Sequence, residues 1–158
     1  MKKKAKKRAK KRPSKARIHH TMSRVRSSGS QLETVLGKAL WHVGLRYRKQ
    51  YPIFGKPDFV LVNQRIAIFC DSEFWHGYRW GRRRKSEHKS NRTYWFAKIE
   101  RNRARDRRVN RQLRNNGWVV IRLWEREILR NADACAAKIA ALRYQKSKKL
   151  CVHRGTEG

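Results

Sequence analysis

The sequence predicts a mixed α/β domain, a small sheet flanked by helices. Three observations carry this expectation: an amphipathic stretch at 30–43, a close run of short apolar segments between 45 and 70, and an apolar segment, WVVIRLW (118–124), that follows a long helical stretch. The element order is αβββαβα, without a visible internal repeat.

The first helix opens on a capping box, SQLE (Ser30–Glu33), and Leu32, Val35, Leu36, Ala39, Leu40 and Val43 recur at helical spacing before Gly44 stops it. LRYRKQYP (45–52) reads as a strand, followed by a Gly-Lys-Pro turn, DFVLV as a second strand, an Asn63-Gln64 turn and RIAIFC as a third, together an antiparallel meander. Tyr78 to Arg92 reads as a basic loop. The second helix runs from near Thr93 to about Asn115, where Asn116-Gly117 ends it. Its inward stripe is Trp95, Ile99, Asn102, Asp106, Val109 and Leu113, so two polar side chains on that stripe need partners. WVVIRLW is nearly continuously apolar and reads as a central strand, pairing parallel to a neighbour after the long helix. A last helix covers roughly Ala132 to Tyr144.

The 158 residues suit one domain at 21–146, between a disordered basic arm at 1–20 and a flexible tail at 147–158. Lys and Arg number 43 against 11 Asp and Glu, and a formal charge of +32 would self-repel unless a polyanion matched it. Nucleic acid is that polyanion, and the eleven basic residues in 1–17 add affinity that is independent of sequence and weakened by salt. An anionic membrane surface would also attract such a chain. No apolar run approaches the ~20 residues of a transmembrane helix, however, and no signal-peptide stretch stands near Met1, so the expected location is cytoplasmic and nucleoid-associated. Cys70, Cys135 and Cys151 are odd in number and widely spaced, which argues for reduced thiols rather than a disulfide framework or a zinc knuckle.

GKPDFVLVNQRIAIFCDSEFWHG (55–77) concentrates the chemistry. Carboxylates at strand ends in a very basic protein suit Mg²⁺ beside a phosphodiester, because hard oxygen ligands bind the ion and the ion activates water. Asp58 and Asp71 are the candidates; for Asp58 a turn role after Pro57 stands equally open. His76 fits a role in orienting or deprotonating water, or in neutralising a phosphate. Glu33 is already explained by the capping box, although a carboxylate there also suits the hydration shell of a metal. Phe74, Trp75, Trp95 and Phe96 lie between basic segments and suit stacking on bases or wedging into a distorted step, while core packing is the commoner fate of such residues.

MSRVRSSGSQLE (22–33), GLRYRKQYPIFGKPDFV (44–60), IAIFCDSEFWHG (66–77) and YWFAKIERNRARDRRVNRQLRNNGWVVIRLWE (94–125), in order and nearly without gaps, resemble the very-short-patch repair endonucleases. That family nicks DNA beside a T:G mismatch and has a fold like that of the PD-(D/E)xK restriction endonucleases. The resemblance implies metal binding by Asp58 and by the backbone carbonyl of Cys70, catalysis by His76 with Glu33, and mismatch wedging by Phe74, Trp75 and Trp95, with Met22 as the wedge from the opposite side. Better-known members carry a histidine where this chain has Asp71, so Asp71 is expected either to ligate Mg²⁺ or to serve a turn or hydrogen-bonding role. The positions of their structural zinc ligands carry Glu73, Tyr78, Trp80 and Arg126 here. No zinc is therefore expected, and a Glu73–Arg126 ion pair packed by Tyr78 and Trp80 is expected instead.

The function implied is a Mg²⁺-dependent DNA endonuclease, acting as a monomer, that nicks one strand at a T:G mismatch and starts very-short-patch repair with other repair proteins. Two alternatives stand beside it: a related nuclease acting on unmodified or branched DNA, and a non-catalytic DNA-binding protein. For the last, the joint presence of Asp58, Asp71, His76 and Glu33 would be superfluous.

Overall fold

The computed structural model describes residues 31–83 and 92–154, with side chains for 31–81 and 92–144. The basic arm, Met22 and Ser30 of the capping box lie outside the described residues.

Helix α1 (Gln31–His42) buries Glu33, Leu36, Gly37, Ala39 and Leu40 along one face, as its apolar spacing requires. It ends in a Schellman motif: Leu45 N–H donates to Leu40 O (2.9 Å) and Gly44 N–H to Trp41 O (3.0 Å), with Gly44 in the left-handed region at φ 76°. Strands β1 (Phe59–Leu61) and β2 (Ile66–Asp71) form an antiparallel hairpin, with Phe59 opposite Ile68 and Leu61 opposite Ile66. The one-turn helix α2 (Trp80–Arg83) stands inside the segment expected to be a loop. Helix α3 (Arg92–Asn115) matches the expected second helix, and Gly117 closes it with a second Schellman pair, Trp118 N–H to Leu113 O and Gly117 N–H to Arg114 O. Strand β3 (Val119–Trp124), helix α4 (Glu125–Arg130) and helix α5 (Ala132–Arg154) complete the chain.

The sheet has three strands in the order β1-β2-β3, and β3 runs parallel to β2 from Ile66↔Val119 to Asp71↔Trp124. This is the mixed α/β architecture the sequence implies, with four corrections. Residues 45–52 form no strand: they touch β1 through a single bridge, Arg48 with Val60. The cause is local, because Gln50 takes φ 50° and Pro52 has no N–H, so the segment turns away before a ladder can grow. Strand β3 lies at the sheet's edge among the described residues and β2 is central; β3 is apolar because helices pack on its faces. Helix α4 fills the connection after β3, where no element was expected. Helix α5 continues past Tyr144 to Arg154, so the range expected as a tail begins as helical backbone.

Alternation along β2 sorts the core. Ile66 and Ile68 join Leu36, Leu40, Leu123, Ile128 and Ile139 on the side of α1 and α5, whereas Ala67 and Phe69 meet Val109 and Leu113 of α3 on the other. Full burial of each large aliphatic contributes about 1.5–3 kcal/mol. By the same alternation Asp71, two residues beyond Phe69, is directed to the α3 side, where the polar pair of that helix lies.

Candidate active site

Asp58 stands one residue before β1, and the hairpin brings it to the end of β2, where its Oδ2 accepts the Cys70 N–H at 2.7 Å. Burial pushes its carboxyl up to about 6; the Cys70 amide opposes this, while the Glu33 and Asp71 charges add to it. Glu33 projects from the first turn of α1, is 6% exposed, and has Lys49 Nζ at 3.7 Å from Oε2. The Cys70 thiol is pushed strongly up, first by burial and then by Asp58, Glu33 and Asp71, so it is held as the neutral thiol.

The polar stripe of α3 reaches the loop after β2. Asn102 Nδ2 donates to the Trp75 carbonyl at 3.0 Å, and Asp106 Oδ2 lies 2.8 Å from His76 Nδ1. A carboxylate only accepts, so His76 carries its proton on Nδ1 and leaves Nε2 facing away from Asp106. Burial raises the Asp106 carboxyl, but the His76 hydrogen bond and the charges of Arg122, His76 and Arg105 outweigh it, and the net result lies below the ordinary carboxylate range. Gly77 makes the loop's approach possible: its φ is 67°, and a Cβ there would lie 2.9 Å from Ile99 of α3.

Asp71 is 3% exposed, and both its oxygens accept from Arg122 Nη1 at 2.7 Å. Asp71 thus makes hydrogen bonds, one of the roles expected for it beside metal ligation. Arg122 and Asn110 belong to the site and were not singled out in the sequence; the available signal was a lone arginine in the apolar strand VVIRLW.

The expected wedge residues come together. Phe74 packs on Trp75 (centroids 4.9 Å apart) and on Trp95 (5.2 Å), and Trp75 on Trp95 (5.8 Å). Tyr94, half exposed, extends the cluster against Trp95, and Lys98 Nζ lies 4.9 Å from the Trp75 ring centre. Phe96 instead faces Trp80. Arg126 Nε lies 3.7 Å from Glu73 Oε1, and Arg126 Nη1 donates to the Tyr78 hydroxyl at 3.3 Å, which ties the loop after β2 to α4. Trp80 donates its indole N–H to Glu100 of α3.

Among the described residues no group of three or more His, Cys, Asp or Glu side chains forms a metal-holding cluster. Mg²⁺ needs no such cage: one or two carboxylates, water and substrate phosphate satisfy it. Asp58 fits that demand, since it is an acid kept near other carboxylates at a cost that a cation would relieve, with the Cys70 carbonyl as the adjoining backbone oxygen.

A half-buried acid, an imidazole with one nitrogen committed and a partly exposed aromatic cluster, in a chain of net charge +32, suit hydrolysis of a nucleic-acid phosphodiester. Comparison with known proteins agrees. The sequence model of the DNA mismatch endonuclease Vsr matches residues 12–82. The chain is 48% identical over 115 residues to the type II nicking enzyme V.NmeDIP of Neisseria meningitidis serogroup C, covering 72% of this chain and 77% of that protein. It is 43% identical over 122 residues to the type II nicking enzyme V.HpaIIP of Haemophilus parainfluenzae, covering 77% and 86%. To the DNA mismatch endonuclease Vsr of Escherichia coli K12 it is 31% identical over 112 residues, 70% of each chain. The chain belongs to the Vsr endonuclease family and is a DNA endonuclease.

Proposed function

We propose that this endonuclease nicks one strand of duplex DNA at a T:G mismatch, requires Mg²⁺, and so initiates very-short-patch repair. The observation that carries the reading is the commitment of His76 Nδ1 to Asp106 near the half-buried Asp58. It leaves Nε2 as the ring atom able to take the proton of an attacking water. Asp58 and the Cys70 carbonyl would hold the ion, which when bound supplies positive charge to the scissile phosphate. Glu33 completes the acidic wall, and Asn102 fixes the Trp75 carbonyl and with it the loop carrying His76. Phe74, Trp75 and Trp95 would enter the mismatched step, with Met22 acting from the opposite side. The reading needs no zinc, because Glu73, Tyr78, Trp80 and Arg126 include neither thiolate nor imidazole.

The names of the relatives, nicking enzymes and a mismatch endonuclease, support cutting of one strand and a mismatched duplex. Incubating strand-labelled T:G, other mismatched, fully paired and branched duplexes with Mg²⁺ or EDTA tests it. One labelled strand cut only in the T:G duplex, and only with Mg²⁺, is the expected result. Equal cutting of paired or branched DNA would transfer the reading to a nuclease of different substrate.

A further inference from the structure

We propose that Arg122 is a positioning residue for DNA cleavage: it fixes Asp106, and through it His76, while saturating Asp71 so that His76 has a single acceptor. This rests on the reading of His76 as the proton acceptor.

Every nitrogen of the Arg122 guanidinium is used. Nε donates to Asn110 Oδ1 (3.0 Å), Nη1 to both Asp71 oxygens (2.7 Å each) and Nη2 to Asp106 Oδ1 (3.1 Å). The guanidinium carbon lies 4.4 Å from the centre of the Phe69 ring, and the side chain is only 17% exposed. Placing a cation at the middle of an apolar strand is costly unless its fork is met in full. Here α3 and β2 meet it from opposite sides.

The consequence falls on His76. Its Nδ1 lies 2.8 Å from Asp106 and 3.5 Å from Asp71, so two carboxylates compete for one N–H. Arg122 decides the competition by occupying both Asp71 oxygens and by holding the far oxygen of Asp106, which leaves Oδ2 aimed at the imidazole. Without the guanidinium, two buried carboxylates would share one histidine. The ring would then swing between them, moving Nε2 from its position. A displacement of about 1 Å at a reacting group costs up to about 100-fold in rate.

The test uses the full chain and five variants: Arg122→Gln, Arg122→Lys, Asp106→Asn, Arg122→Gln with Asp106→Asn, and Arg122→Gln with Asp71→Asn, the last of which removes a cation and an anion together and so guards against unfolding. Single-turnover nicking of a T:G duplex is measured alongside DNA affinity, and nitrogen-resolved NMR of the DNA-free protein follows the His76 Nδ1 proton. Arg122→Gln is expected to lose about 10- to 100-fold in rate with DNA affinity within about twofold, and to lose the protected Nδ1 proton. Arg122→Lys should recover part of both, and the double variant with Asp71→Asn should fold and nick faster than Arg122→Gln alone, because no second carboxylate competes for His76, while staying below wild type because Asp106 is no longer held. Adding Arg122→Gln to Asp106→Asn should cost little more than Asp106→Asn alone. A full nicking rate, or an unchanged Nδ1 signal, in a folded variant without Arg122 would overturn the proposal. If wild type does not nick the T:G duplex, the substrate reading fails, while the NMR arm still decides the role of Arg122.

Discussion

At the scale of single residues, Asp58 shows how the site strains the fold. Its carboxyl titrates near 3.8 in an unfolded chain and is pushed up to about 6 in the folded one, burial being the largest cause. Between those values the folded state retains a proton that the unfolded state has released, so stability falls as pH rises through the window, by roughly 3 kcal/mol. Asp58→Asn, measured in EDTA at pH 7.5, should therefore unfold later than wild type, by roughly 1–3 kcal/mol, with the two converging near pH 3. A variant no more stable than wild type at pH 7.5 would contradict this. Asp58, His76 and the aromatic trio were singled out in the sequence by the family resemblance, because residue type and spacing alone left each of them a turn, surface or core alternative. Arg122 was not, because its meaning depends on Asp71, 51 positions away, and Asp106, 16 positions away, and no local pattern encodes such pairings.

At the scale of elements, the two helices with clear periodicity and glycine stops, α1 and α3, were legible nearly to the residue. The hairpin was legible from its two short apolar runs and the Asn63-Gln64 turn between them. Residues 45–52 were not: their β-type residues match a strand, but the left-handed Gln50 and the proline that follows divert the chain after one bridge. The loop after β2 is held to α3 at Gly77 and Asn102, and its close approach makes it sensitive. Gly77→Ala should strain a left-handed backbone and press on Ile99, costing on the order of 1–3 kcal/mol of stability and most of the nicking rate. Urea unfolding and single-turnover assays check both, and a wild-type midpoint would contradict the packing described. Trp75 tests the wedge: Trp75→Ala should weaken binding to a T:G duplex by about 1–3 kcal/mol, leaving binding to paired DNA nearly unchanged. Equal losses on both duplexes would make Trp75 a general DNA contact.

At the scale of the whole molecule, the charge of +32 sets how the protein meets DNA. Each phosphate neutralised lowers the logarithm of affinity by about 0.9 per decade of salt, so the slope counts contacts. Removing residues 1–20, with eleven basic residues among the first 17, should flatten that slope by several units and leave the preference for T:G over paired DNA intact. An unchanged slope would exclude the arm from binding. The polyanion partner was legible from composition alone, whereas the joining of Arg122 to Asp71 and Asp106 required the fold. The claim on which the rest depends is that Asp58 and His76 perform the cut rather than merely support the structure. The most direct measurement is single-turnover nicking of a strand-labelled T:G duplex with Mg²⁺ by wild type, Asp58→Asn and His76→Gln, with DNA affinity recorded in parallel. The expected result is the loss of at least about 100-fold in rate for each variant, with affinity retained, as for the removal of a group acting only in the transition state. A variant that folds, binds and nicks at the wild-type rate would contradict it.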